Sequence, residues 1–247
     1  MQTLVRYTRS LGRLGRIVYI TQHQILKLLF QRAFFARKPE LSAGHARQWA
    51  SRIVRAAGIK IECHGTPPSR SSLLIANHRS YIDIVAILSQ LPCSFLAKAE
   101  LRKWPVFGPA AKYGGTIFVD RDNAGSRYES RSQIAAVLAK GVSVVVFPEG
   151  TTSAGPGLLD FRRGVFHIAA EKSLRITPVM ILYQNPAAAW TGTATFVPHF
   201  LTIFGQPTIR MKVFFGPEVL GNDPETIREA AHRWIAEKLA QFEASCL

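Results

Sequence analysis

Acidic side chains are scarce here: 16 Asp and Glu stand against 31 Lys and Arg, a formal net charge of +15. The imbalance is sharpest at the start, where residues 1–60 hold twelve cations and the single acid Glu40. Such a skew points to a polyanionic partner, nucleic acid or an anionic leaflet. No nucleic-acid fold signature is present, so the charge is assigned to a membrane surface and no nucleic-acid partner is expected. Cysteine is rarer still. Cys63, Cys93 and Cys246 lie far apart with no C-x-x-C pair, which argues against a disulfide framework or a zinc knuckle and reads as reduced thiols facing cytosol. The histidines show no H-E-x-x-H spacing, so no metal site is expected. The absence of G-x-S-x-G argues against a serine hydrolase. No apolar run reaches the roughly 18 residues of a transmembrane helix. The basic lead of Arg6, Arg9, Arg13 and Arg16 is followed by an apolar run that breaks at Thr21-Gln22-His23-Gln24, too early for a secretory signal.

What is present suits a globular enzyme, with 47% hydrophobic residues and 10% aromatics. Residues 14–35 repeat as a helix, with Val18, Ile25, Leu29 and Phe30 near one face and Arg16, Lys27, Arg32, Arg37 and Lys38 at its flanks; Pro39 is expected to stop it. A second helix is expected over 43–57, ending at Gly58. This amphipathic pair fits an interfacial membrane anchor, or two helices packed on the core with solvated charges. After Gly58 short apolar runs at 72–76, 94–97, 116–119, 143–147, 176–182 and 210–215 alternate with helical stretches at 81–90, 124–140 and 161–172. Asp223 before Pro224 reads as the cap of a last helix reaching 242. The pattern predicts an α/β fold, a mostly parallel or mixed sheet covered by helices, with residues 1–58 as a membrane-associating extension and 59–247 as the α/β domain.

Polar clusters follow several strands directly: Asn77-His78, Lys98, Asp120-Arg121 and Pro148-Glu149-Gly150. Parallel strands bring all four to one sheet edge, where open α/β sheets bind ligands. His78 and Asp83 cannot meet within one continuous helix, being about 140° apart. They can meet if His78 precedes the helix and Asp83 sits in its first turn, with Ser80 as N-cap. Asp83 then holds one ring N–H and leaves the other nitrogen to accept a proton. The alternative is a simple cap beside a loop histidine. Arg121 suits a phosphate or carboxylate, or a local pair with Asp120 or Asp122. Glu149 can accept from hydroxyls or orient Arg121, and Gly150 allows close backbone approach. Thr151, Thr152 and Ser153 read equally as turn residues, and Arg162-Arg163 as a solvated basic face.

Four ordered blocks over residues 72–182 resemble the lysophosphatidic acid acyltransferase-like glycerolipid acyltransferases. They are Asn77-His78 with Asp83, the segment from Gly115 to Arg121, the segment from Phe147 through Thr151 to Ser153, and Ile176-Thr177-Pro178-Val179; Lys98-Ala-Glu-Leu101 with Pro105 and Gly108 resembles the family's intervening segment. The resemblance implies an O-acyltransferase with His78 as general base and Asp83 as its partner. It implies that Arg121, Glu149 and Gly150 hold the acceptor's head, that Pro178 lies near the donor or helps shape the site, and that the helical pair lies on the membrane; the expected location is the cytoplasmic face. The donor is an acyl thioester of acyl carrier protein or coenzyme A, the acceptor a lysolipid, and no cofactor is needed. One departure stands out: the third block usually carries arginine where this chain has Thr152. That leaves the acceptor open between a lysophosphatidic acid type and lyso-ornithine lipid, with Arg162 and Arg163 as replacements for the missing cation. Backbone N–H groups at the start of the Ser80 helix are the candidate oxyanion donors.

Overall fold

The computed structural model describes residues 2–34, 39–104, 107–192 and 194–243. Phe35, Arg37, Lys38, Pro105 and Cys246, all singled out above, lie outside them. The chain opens with α1 (Gln2–Phe34) and α2 (Pro39–Ala56), followed by β1 (Ile59–His64), β2 (Leu73–Ala76), α3 (Ile82–Gln90) and β3 (Cys93–Lys98). Next come α4 (Phe107–Tyr113), β4 (Ile117–Val119), α5 (Ala124–Ala139), β5 (Ser143–Val146), α6 (Gly164–Glu171) and β6 (Ile176–Tyr183). The last elements are α7 (Phe196–Phe204), β7 (Ile209–Phe215) and α8 (Pro224–Glu243).

The seven strands form one sheet in the order β1-β7-β6-β2-β5-β3-β4. β6, β2, β5, β3 and β4 run parallel, while β7 pairs antiparallel with β6 and carries β1 with it. The sheet is therefore mixed, with a parallel centre, and the ends of β2, β3, β4 and β5 share one edge. Alternation along the buried strands divides the core. Leu74, Ala76, Val145, Ile181 and Val213 face α2, α3 and α7, whereas Leu73, Ile75, Val144, Val146 and Met180 face α5, α6 and α8. The expected cap of the last helix is present: the Asp223 carboxylate accepts from the Thr226 N–H at 2.7 Å.

Several elements differ from the sequence reading. α1 starts twelve residues before the expected residue 14, because Gly12, Gly15 and the arginines interrupt its apolar repeat. Pro39 opens α2 instead of merely stopping α1, a position where its missing N–H costs nothing. The edge strand β1 was not expected. Its Ile-Lys-Ile-Glu-Cys-His alternation was visible, but it is half-exposed rather than a continuous apolar run. α4 and α7 were also not expected.

The basic lead divides into two roles. Arg13 is buried and donates to the carbonyls of Phe204 (2.8 Å), Gln206 (2.6 Å) and Pro207 (2.8 Å), and Arg9 donates to that of Gly205 at 2.8 Å. These are the open carbonyls at and beyond the C-terminus of α7, where a cation is favoured. Gly58 has φ +71°, and a Cβ there would collide with the Arg13 guanidinium. Two of the four leading arginines thus pin α1 to α7, and Arg6 and Arg16 stay exposed.

Candidate active site

β2 ends at Ala76, and α3 begins at Ile82, so His78 stands in the intervening loop with Asp83 in the first helical turn. The imidazole Nδ1 lies 2.8 Å from Asp83 Oδ2. The same oxygen accepts from the N–H of Arg79 (2.7 Å) and of Ser80 (2.9 Å). An ionised carboxylate has no proton to offer, so Nδ1 donates and the neutral ring keeps its lone pair on Nε2. The ring stacks on Phe147, centroids 4.0 Å apart and planes 14° apart, which fixes its plane. The N-cap position falls on Tyr81 and no side chain caps it, so Ser80 does not have the expected role. Asp83 does that work itself, reaching back to the N–H groups before the helix. Those two N–H groups are consequently occupied and do not serve an oxyanion, contrary to expectation.

Asp83 is fully buried, and its other oxygen accepts from the Tyr183 hydroxyl at 2.5 Å. Burial first, and then the Asp83 charge, push the Tyr183 phenol well above its ordinary value, so it stays protonated and donates. Tyr183 comes from the end of β6, 100 residues away, and nothing in the sequence marked it. Tyr183→Phe removes a donor and concentrates charge on the oxygen facing His78. The carboxylate that orients His78 is then held by one bond fewer, so kcat should fall by about three- to tenfold with the acceptor's KM unchanged. Steady-state kinetics of the variant checks this; an unchanged kcat would reduce Tyr183 to a packing residue.

Asn77, a substrate-binding candidate of the first block, and Glu149, expected at the acceptor head, face inward instead. Asn77 is fully buried, donating to the Ile181 carbonyl (2.9 Å) and accepting from the Ile181 N–H (2.7 Å), which ties the His78 loop to β6. Glu149 is also buried and accepts from the N–H of His78 (2.6 Å), the N–H of Leu159 (3.2 Å) and the Ser153 hydroxyl (3.2 Å). Burial raises the Glu149 carboxyl above its ordinary range, against the lowering by these bonds and by Arg79. Both side chains hold the backbone around His78 rather than offering atoms to a ligand. From the other side, the Ser153 N–H donates to the His78 carbonyl at 2.9 Å. Pro178 stands in β6 opposite Ile75, on the sheet face away from α3, and so does not border the His78 ring.

Arg121, Gly150, Lys98 and Thr151 do lie at the strand-end edge. Arg121 is half-buried and its Nη1 donates to the Gly150 carbonyl at 2.8 Å. Burial, followed by the neighbouring charge of Arg162, lowers the Arg121 guanidinium, and Glu100 opposes the shift. Lys98 and Thr151 are exposed. The Thr152 hydroxyl donates to the Trp190 carbonyl. Among the described residues, no group of three or more His, Cys, Asp or Glu could hold a metal.

An apolar cavity of about 300 Å³ opens beside the dyad. His78 and Tyr81 line it together with Ile17 and Ile25 of α1, Trp49 of α2, Val85 of α3 and Phe200 of α7. Cys93 also lines it, and burial raises its thiol far above the ordinary value, which makes it a poor nucleophile. A fixed His–Asp pair with an open ring nitrogen, set against an apolar chamber, is the equipment of a general-base enzyme working on an apolar substrate.

The family profile described as Acyltransferase matches residues 60–182. A lyso-ornithine lipid O-acyltransferase of Rhizobium meliloti is 31% identical over 215 residues, covering 79% of this chain and 73% of that one. The protein of the same name from Brucella abortus is 34% identical, covering 71% and 72%. A 1-acyl-sn-glycerol-3-phosphate acyltransferase of Neisseria meningitidis is 31% identical over 65% of this chain and 62% of its own. The crystal structure of the 1-acyl-sn-glycerophosphate acyltransferase PlsC from Thermotoga maritima superposes with a TM-score of 0.69 at 24% identity, covering 97% of this chain and 98% of that one, and shares the fold. The chain belongs to this acyltransferase family, and it is an O-acyltransferase.

Proposed function

We propose that the protein moves a fatty acyl group from a thioester carrier to the free hydroxyl of a lysolipid, at the cytoplasmic face of a membrane. The observation that carries this reading is the His78 ring, bound through Nδ1 to a buried carboxylate and bordering the apolar chamber. The acceptor hydroxyl gives its proton to Nε2 as its oxygen attacks the thioester carbonyl. Asp83 stabilises the imidazolium. The C–O bond forms, the C–S bond breaks, and the imidazolium returns the proton to the departing thiolate. Acyl carrier protein or coenzyme A is that thiol; the carrier is a substrate and the protein needs no cofactor. The apolar chamber suits the acyl chain.

Lyso-ornithine lipid is the acceptor we favour. The hydroxyl of Thr152 is engaged with Trp190, so the turn after Gly150 carries no cation at that position, and relatives named for that activity span most of the chain. A lysophosphatidic acid-type acceptor is the second reading, favoured by the guanidinium of Arg121 at the same edge. The test is incubation with labelled acyl thioester of either carrier and both lysolipids, read by mass spectrometry. Acylated lysolipid is expected. Release of free fatty acid alone would make the protein a hydrolase, and duplex binding with no transfer would make it a basic binding protein.

Membrane seating is part of the proposal, with residues 1–58 as the associating extension. No described helix is long and apolar enough to cross a bilayer. On α1, Leu4, Tyr7, Leu11 and Leu14 recur at spacings of three and four and are 69%, 50%, 57% and 36% exposed, a stripe continued by exposed Leu29. Arg6, Arg16 and Lys27 are exposed on the same helix. This combination suits a helix lying in the headgroup boundary. Burying one leucine is worth roughly 1.5–3 kcal/mol. Leu4→Asp with Leu11→Asp should therefore cut co-sedimentation with anionic vesicles by about tenfold or more, while transfer in detergent micelles stays intact. Equal sedimentation of variant and wild type would remove α1 from the membrane.

A further inference from the structure

The sequence offers Arg162 and Arg163 as an indistinct basic pair, and the fold separates them. Arg163 turns to Glu225, with Nε 3.6 Å from its carboxylate. Arg162 turns the other way, over the turn that follows β5. A Cβ built on Gly150 would stand 2.5 Å from Arg162 Nε and 3.0 Å from Arg121 Nη1. Both guanidinium groups therefore close on one point, and Gly150, with φ +77°, leaves the space they share.

Two like charges held this closely need a reason. Among the described residues neither guanidinium comes within ion-pair distance of a carboxylate. Of the acids at this edge, Glu149 faces His78 and Leu159, Asp120 accepts from the N–H of Asp122 at 3.1 Å, and Glu100 acts on Arg121 through its charge without forming an ion pair. Arg121 donates one bond, to the Gly150 carbonyl, and Arg162 stays exposed. The two guanidinium groups are thus brought together over Gly150, with Arg162 open to solvent and N–H donors left over on both, and paired guanidinium groups are what a phosphate or carboxylate satisfies bidentately. The place is also next to the chemistry, since Gly150 adjoins Glu149, whose carboxylate accepts from the His78 N–H at 2.6 Å.

We infer that Arg162 is the second cation of an anion site shared with Arg121, and that the site seats the negatively charged head of the acyl acceptor, a phosphate monoester or an amino-acid carboxylate. This rests on the reading of the strand-end edge as the acceptor side. Arg163 has no part in it.

The test compares wild type, Arg162→Gln and Arg163→Gln, the last removing the same charge one residue away. Binding of lyso-ornithine lipid, lysophosphatidic acid and uncharged monoacylglycerol is measured by equilibrium dialysis in uncharged detergent micelles, and acyl transfer is measured in parallel. Losing charged hydrogen bonds should weaken binding of the acceptor that bears the matching phosphate or carboxylate about ten- to a hundredfold in Arg162→Gln. Arg163→Gln should bind like wild type, and monoacylglycerol should not discriminate among the three proteins. Equal losses in both variants, or an equal loss for the uncharged lipid, would overturn the assignment. Arg162-dependent binding by a wild type that transfers no acyl group would sink the acyltransferase mechanism for these lipids and leave the anion site standing. The tighter of the two, the phosphate monoester or the zwitterionic ornithine head with its carboxylate, identifies the head.

Discussion

His78→Ala is expected to lower kcat by about 10²–10⁴-fold, the range that positioned general-base catalysis supplies. The acceptor's KM should change little, because the lost bond forms to a proton in flight rather than to the bound lipid. The fold should survive. His78 is partly exposed, and its ring is held by Asp83 and Phe147. The backbone of residue 78 keeps its bonds to Glu149 and Ser153 whatever the side chain. Steady-state kinetics with saturating thioester gives the result, and a variant with wild-type turnover would end the mechanism. A variant that loses turnover together with its melting transition would have to be replaced by His78→Gln, which keeps the size and removes the base.

Asp83→Asn should cost at least about 10²-fold in kcat, by a different route. Asparagine matches the carboxylate in shape. Its oxygen can take the bonds from Arg79, Ser80 and His78, and its NH₂ can face the Tyr183 oxygen. Geometry and tautomer are therefore kept, and what goes is the charge that compensates the imidazolium once His78 has taken the proton. Tyr183 and the two backbone N–H groups are already oriented around that charge, so no water needs to reorganise when the proton moves. A loss in kcat with unchanged KM and an unchanged melting transition is the expected signature. Wild-type turnover in Asp83→Asn would show that the carboxylate only caps the helix.

Much of this arrangement was legible in the sequence because it is local. The His78–Asp83 meeting follows from a five-residue spacing and a helix start, and the common edge follows from strands that each end in a polar cluster. Direction was not legible. Asn77 and Glu149 end buried strands as Arg121 does, but their side chains turn to backbone groups on neighbouring strands and loops, and only the packed sheet decides that. Tyr183 closes onto Asp83 across 100 residues of chain, and a lone tyrosine ending an apolar strand carries no signal of a partner. Arg162 and Arg163 look alike until α8 supplies Glu225 to one of them. Ser80 looked like the cap because its residue type suits that place, and the carboxylate three residues on already fills the need.

One helix has two apolar edges. The outward edge of α1 carries Leu4, Leu11 and Leu14, and the inward edge gives Ile17, Thr21 and Leu28 to the chamber wall. The arginines that fix it, Arg9 and Arg13, grip the end of α7, whose Phe200 and Phe204 line the same chamber. If α1 floats on lipid, a greasy tail leaving the bilayer passes along a single helix into the protein without crossing water. The doorway for the tail and the berth that receives it are then built from one element.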